Sequence, residues 1–275
     1  MARTRVRNSS LLALTLAAGL ALTTTGCGGD TGSGSASTAP PASSGAKDSS
    51  PVVVATTTWE AALAKAAGAG DVEVIVPQSV QHAPDYDPKP SDLAAVADAD
   101  YVLYAPFEPY AAKIKEAAGS DAELVEVALD NDADKAKAEV ARLAQLFGTQ
   151  DAAARWTASF DSQYAALQKG LKAKWPQGKR PTVVAQVFTT WAAKLAGAEL
   201  AGTFGPEAVT AKQLSELSKT KPRLVLDNAH MTTGTVLPDS GAEQVEIVNY
   251  PGTDLDLLAV YRQAAKTVET AMAAS

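Results

Sequence analysis

The sequence predicts an α/β fold of two lobes, each built on a mainly parallel sheet, joined by one long backbone helix. Three features carry that expectation. Short β-branched runs alternate with helical patterns across residues 51–150, the alternation resumes at residue 182, and an unbroken helical pattern spans residues 151–174 between them. Parallel strands cannot be joined by a tight hairpin and need a crossover, usually a helix, so this alternation argues for parallel pairing.

In order, residues 52–55 form a buried β run, 60–67 a helix and 72–76 a second β run, before a polar loop at 77–90. Ser91 and Asp92 open a helix through residue 97, followed by a strand at 101–104, a helix at 111–118 and a strand at 124–127. A helix at 134–147 ends at Gly148, and the long helix at 151–174 follows. On it Trp156, Phe160 and Tyr164 recur at helical spacing, the mark of a core-facing stripe. The second alternation runs through 182–185, 191–196, 211–217, 224–226 and 245–248, with a closing helix at 254–273. Asp130, Asp132 and Asp134 precede a helix start, where carboxylates favour the positive end of the dipole. No internal sequence repeat relates the lobes.

The amino-terminal stretch follows a different grammar. Arg3, Arg5 and Arg7 lead into an apolar run at 11–22 and then Thr24-Thr25-Gly26-Cys27, so residues 1–26 are expected to be a secretory signal. Cys27 is the only cysteine, which removes any disulfide, and its place resembles the acylated cysteine of bacterial lipoproteins. One departure is Thr24, where such signals usually carry Leu. Several acyl chains would give stable anchoring, placing the chain at the cell membrane, lipid-anchored on the extracytoplasmic face. No later stretch approaches the ~20 consecutive apolar residues of a membrane span. Residues 28–50 are almost wholly Gly, Ser, Thr, Ala, Pro and Asp, a composition that behaves as a flexible leash.

The expected organisation is therefore signal 1–26, acylated Cys27 and linker 27–50, first lobe 51–150, linking helix 151–175 and second lobe 176–275. Losing the three signal arginines takes the formal charge from −7 to −10. Such a chain is a poor partner for nucleic acid or anionic lipid headgroups and does not repel cations.

The run Val54-Ala55-Thr56-Thr57-Thr58-Trp59, then Val76-Pro77, Tyr86-Asp87-Pro88-Lys89-Pro90-Ser91-Asp92-Leu93 and Ala97-Asp98-Ala99-Asp100-Tyr101-Val102, resembles the zinc/manganese solute-binding lipoproteins of bacterial ABC importers. Gly202-Thr203-Phe204 and Ala211-Lys212-Gln213-Leu214 are similar to the second lobe of that family, and the resemblance extends over residues 51–275. It implies two lobes around a cleft with little hinge motion and a divalent metal, Zn or Mn, as transported ligand. It also implies an ABC permease with its ATPase as partners, and a monomer.

The family holds its metal with four side chains, and most of those positions are altered here. The first histidine position is Pro84, with His82 two residues earlier in the same loop; the second corresponds to Glu126, with Ala128 at a neighbouring Trp position. The third falls on Gln186, the acid of the fourth on Asp227, and a further family acid on Asn249. The set has lost imidazoles and gained amides and a carboxylate, which suits oxygen-preferring metals better than tetrahedral zinc. Against this, both histidines of the chain, His82 and His230, are expected in loops at the cleft, His230 three residues past Asp227. His82, Asp227, His230 and Glu126 are therefore the candidate metal ligands. Gln186, Asn249, Tyr86 and Trp59 are secondary ligand-binding candidates. Each histidine also has a plain alternative: His82 capping a Pro-rich loop, His230 packing at the lobe interface.

Trp59, Tyr86, Tyr104, Phe107 and Trp191 would lie near the cleft, either stacking an organic ligand or packing the lobes together. Catalysis has no support: no H-E-x-x-H, G-x-S-x-G, P-loop or dinucleotide fingerprint occurs. Three classes follow: a metal-binding component of an importer; the same role for a metal chelate or small organic ligand; and a surface adhesin or metal-sequestering lipoprotein.

Overall fold

The computed structural model describes residues 51–80, 83–119, 122–232 and 234–274. The signal, Cys27, the linker and His82 lie outside the described residues. Each lobe holds a four-stranded, wholly parallel sheet. The first runs in the order β2-β1-β3-β4, with β1 (Val53–Ala55), β2 (Val72–Val74), β3 (Tyr101–Tyr104) and β4 (Glu123–Glu126). The second repeats the order as β6-β5-β7-β8, with β5 (Thr182–Gln186), β6 (Glu199–Phe204), β7 (Leu224–Asn228) and β8 (Glu243–Ile247). The lobes thus share a strand order that no sequence repeat announces. β1 and β7 are buried along their whole length, which is why they read as apolar runs without alternation.

The one strand the sequence pattern does not reveal is β6. It is an edge strand, Gly202 interrupts it, and its register with β5 slips between Val183 and Val184, so no period of two survives. A Cβ at Gly202 would stand 2.6 Å from Leu217 Cδ2 of α7 (Ala211–Lys219), so the glycine lets that leucine pack directly onto the strand.

The helices begin where local chemistry starts them. The first, α1 (Thr58–Ala66), opens two residues earlier than the apolar pattern suggests, because Thr57 and Glu60 form a capping box: Trp59 N–H donates to Thr57 Oγ1, and Thr57 N–H donates to Glu60 Oε2. In α2 (Pro90–Ala97), proline occupies the first turn and Asp92 reaches back to accept from Lys89 N–H. The loop before it holds a single 3₁₀ turn, Ala83–Asp85. Asp132 caps α4 (Ala133–Phe147), accepting from the N–H groups of Asp134 and Lys135. The shorter α3 (Ala111–Ala117) crosses between β3 and β4, and α6 (Thr190–Leu195) between β5 and β6.

The long helix, α5 (Gln150–Ala173), has 24 residues and so extends about 36 Å. It packs on α1 and α4 of the first lobe, and on α6 and the closing helix α8 (Leu257–Ala274). Its aromatic stripe is the centre of the core: Phe160 stacks on Trp156 at 4.9 Å and on Tyr164 at 5.7 Å, and meets Tyr261 of α8 edge-on at 5.1 Å. One hydrophobic cluster runs continuously from Val53 and Leu103 through Phe160 and Leu171 to Leu195 and Leu226. Among the described residues no helix is long and apolar enough to cross a membrane.

Two buried carboxylates lie beyond the carboxyl ends of β1 and β3. Glu60 is fully buried at the start of α1; Glu108, also buried, accepts from Ala105 N–H and Tyr110 O–H. Burial, and then the charge of Glu108, pushes the Glu60 carboxyl from 4.5 up to about 8, and burial raises Glu108 as well. The native state thus holds a proton that the unfolded chain releases. The associated stability is fully present below the unfolded pKa and is lost as pH rises from 4.5 through about 8.

Replacing Glu60 with Gln, which keeps an acceptor for Thr57 N–H, should flatten that loss; urea midpoints at about pH 5 and about pH 9 should differ less in the variant than in the parent. A second expectation concerns Gly68, which has φ +99° and whose added Cβ would stand 2.7 Å from Ala152 Cβ and 3.0 Å from Thr149 Cβ. Gly68→Ala should destabilise by about 2 kcal/mol in urea unfolding, combining backbone strain with overpacking.

Candidate functional site

Open parallel sheets bind ligands outside the carboxyl ends of their strands, where the strand order reverses. In this chain those points lie between β1 and β3 and between β5 and β7. Two cavities open there between the lobes. One, of about 470 Å³, is bordered by Thr57, Val76 and Gln78 of the first lobe and by His230, Thr232 and Glu246 of the second. The other, of about 370 Å³, has Trp59, Pro84, Phe107 and Leu129 on the first-lobe wall. Facing them are Phe188, Asn228, His230, Met231, Asn249 and Tyr250. His230, Tyr250 and Ala83 border both.

His230 is held by its neighbours. Its N–H donates to Asn228 Oδ1 at 3.0 Å, and its ring stands edge-on to Tyr250 with centroids 4.7 Å apart. Tyr250 in turn meets Trp59 edge-on at 5.3 Å, linking the lobes across the cleft. Burial, then the nearby Glu60 and Glu108, pushes the Tyr250 phenol up, so it stays protonated.

The other candidate residues divide into those on the cavity walls and those behind them. Trp59 and Asn249 line the second cavity. Asp227 is fully buried at the end of β7 and organises the His230 loop, accepting from Asn228 N–H, Thr232 O–H and Gln244 Nε2. Gln186 ends β5; its Oε1 accepts from Phe188 N–H at 2.7 Å and so sets the turn that presents Phe188. Tyr86 donates to Asp92 Oδ2 at 2.8 Å and packs against the outer hydrophobic cluster of the first lobe, on neither cavity wall. Glu126 lies elsewhere, at the end of β4 in a neighbouring depression with Lys135, Glu139 and Arg142, which shares Phe107, Leu129 and Phe188 with the second cavity. His82 is outside the described residues, but Ala83 and Pro84, which follow it, are on the first-lobe wall. Among the described residues no group of three or more His, Cys, Asp or Glu is arranged to hold a metal ion.

Of the other aromatics, Phe107 is on the cavity wall, whereas Trp191 is buried and donates to Asn249 Oδ1, and Tyr104 is buried beneath Lys115. Sequence reasoning missed Phe188, Met231 and Tyr250. Each directly follows a strand end or its turn, two residues past Gln186, one past His230 and one past Asn249. Reading one or two residues beyond every predicted strand would have found them.

The sequence profile of the family described as ZnuA, zinc-uptake complex component A, periplasmic, matches residues 52–223. No curated protein sequence matches significantly. Among solved structures, the chain is similar to the laminin-binding protein Lmb of Streptococcus agalactiae, titled a bifunctional protein with adhesin and metal-transporting activity. That match has 17% identity and a TM-score of 0.56 and covers 79% of this chain and 99% of that one. It is similar to the Zn(II)-bound ZnuA-like domain of Streptococcus pneumoniae AdcA, with 16% identity, a TM-score of 0.52 and coverage of 82% and 99%. The substrate-binding protein FpvC of Pseudomonas aeruginosa, solved with Ni²⁺, matches at 14% identity and a TM-score of 0.59, covering 82% and 96%. At these identities the likeness shows the fold, two α/β lobes of the metal-type solute-binding class. The family match spans more than half of the chain, and with the paired parallel sheets and the spine helix it makes this chain a member of the ZnuA family, the solute-binding components of metal ABC importers and not enzymes.

Proposed function

We propose that this chain is an extracytoplasmic lipoprotein that captures a divalent metal ion, Zn or Mn, between its lobes and delivers it to an ABC permease driven by an ATPase. The observation that carries the reading is His230. It borders both interlobe cavities from the second lobe, opposite Ala83 and Pro84, the chain neighbours of His82. The proposed ligands are His82, His230 and Asp227, with Glu126 secondary. Asp227 is fully buried behind the cavity walls and accepts three hydrogen bonds, so it would have to turn toward the cleft to join the histidines. Two imidazoles with a carboxylate form a mixed nitrogen and oxygen set that suits Zn or Mn. The ions bound in the similar structures, Zn(II) in AdcA and Ni²⁺ in FpvC, support a first-row divalent cargo. The proposed organisation keeps the signal at 1–26, the anchor and leash at 27–50, and a monomeric two-lobed body beyond.

A ligand present at about 100 times its Kd adds about 2.7 kcal/mol of stability. For a body of this size that corresponds to a rise in Tm of about 5–10 °C. Saturating Zn²⁺ or Mn²⁺ should give that rise, and His82→Ala and His230→Ala should each remove most of it. Imidazole ligates only when neutral, so affinity should fall below about pH 6. A wild-type protein whose Tm ignores every divalent metal would overturn the reading. Anchoring has its own test: Cys27→Ser should leave the precursor uncleaved or release the protein from the membrane fraction, and a cleaved, equally membrane-bound variant would refute lipidation.

A further inference from the structure

The second interlobe cavity has the walls of a small-molecule site. Its volume of about 370 Å³ falls in the range of pockets that bury organic ligands, roughly 300–1,000 Å³. A first-row metal ion, by contrast, requires donors about 2.0–2.2 Å away. Here the walls supply few. Trp59, Phe107 and Leu129 face Phe188, Met231 and Tyr250, and among the described residues no Asp, Glu, Lys or Arg lines the cavity. The chain residue at the family's first histidine position is Pro84, a hydrocarbon ring on the wall.

Two further features point to an occupant. Phe107 and Phe188 come from opposite lobes, border the same cavity and are 60% and 52% exposed. A lone exposed phenylalanine is unremarkable, but a pair on the rim of one concavity marks a place where apolar surface is to be covered. Trp59, on the cavity wall, is only 8% exposed, and its buried Nε1–H has no hydrogen-bond partner. A buried indole N–H normally finds an acceptor, so the Trp59 side of the wall carries an unspent polar group beneath its hydrocarbon face.

We infer that this cleft takes its metal as a flat, uncharged heteroaromatic chelate, an inference that rests on the metal-capture reading above. The chelator brings the donor atoms that the apolar walls lack. Its ring lies between Phe107 and Phe188, with Trp59, Met231 and Tyr250 completing the apolar walls around it. The neutral cavity lining matches an uncharged complex, because an unpaired charge moved into such surroundings loses its hydration without compensation.

Equilibrium dialysis of the purified mature protein in detergent can decide this, with pyridine-2,6-dicarboxylate as probe, since its one-to-one Zn²⁺ complex is flat, heteroaromatic and uncharged. Retained zinc and retained pyridine absorbance are measured separately for Zn²⁺ alone, the dicarboxylate alone and the complex. The expected result is joint retention of metal and chelator, at least about tenfold tighter than either alone. Phe107→Ala and Phe188→Ala should each weaken the complex about five- to tenfold while leaving Zn²⁺ alone unchanged. Zinc retained without the chelator as tightly as with it would overturn the chelate and leave metal capture standing. Chelator retained equally well without zinc would overturn the chelate, since the metal would then add nothing to recognition. Undiminished retention by the two phenylalanine variants, or no retention of the complex, would also overturn the chelate, and the thermal response to bare metal would then judge metal capture separately.

Discussion

A closed circuit of contacts around Tyr261 holds the two lobes in one arrangement, and the cleft depends on it. Tyr261 is fully buried on α8 and donates to the backbone oxygen of Asn131, in the loop after β4 of the first lobe. Asn131 Nδ2 donates at 2.9 Å to the backbone oxygen of Asn249, past β8 of the second. Trp191 of α6 donates to Asn249 Oδ1 at 2.8 Å and returns to Tyr261 by an edge-on ring contact at 5.2 Å. Every member is buried, where an unmade hydrogen bond costs about 1–3 kcal/mol, so the lobes cannot separate at this point without breaking several such bonds together. Phe160 of the spine packs on the same tyrosine, tying the circuit to α5.

Asn249 has a second face, on the wall of the apolar cavity. Its side-chain oxygen serves the interlobe circuit, so this residue acts as a fixed structural joint beside the cavity. The cleft inherits its width from that joint and from the Trp59–Tyr250–His230 stack beside it, both of which bridge the lobes. Lys194 adds a peripheral link, pairing with Asp132 at 2.7 Å and Asp134 at 3.0 Å, but exposed pairs of this kind contribute little compared with the buried circuit.

The parts of this fold legible in the sequence are those whose signal is local. The fully buried β1 and β7 read as apolar runs, and the stripe Trp156, Phe160, Tyr164 reads as a helix face, because burial on both sides or on one side imposes its period on nearby residues. The edge strand β6 hides because a bulge and Gly202 break its alternation, and the leucine on α7 that packs over Gly202 is not revealed by sequence proximity. Asp227 is legible as a strand-end acid, but its employment by Thr232 and Gln244 is tertiary information. The same holds for Glu60 and Glu108, separated by 48 positions and joined only when β1 and β3 lie side by side. Each alone reads as an ordinary surface carboxylate. Phe188 and Tyr250 escaped because their importance comes from the wall opposite, not from their neighbours in the chain.

The altered ligand positions bear on how such a protein could discriminate among metals. Affinity for divalent first-row ions at a nitrogen and oxygen site follows a general order, with copper and nickel above manganese, so selectivity must come from geometry, from ligand softness or from what is available. A chain with two histidines and a single cysteine has little softness to vary. Its geometry is held by hydrocarbon walls and by amides committed to structure. Under those constraints the feature with most room to discriminate is the shape of the cavity itself, and shape acts on a molecule with extent, not on an ion. On the proposed reading, recognition has moved from the metal's first coordination shell to the surface of whatever surrounds the metal, and the aromatic walls are the part of the cleft suited to read that surface.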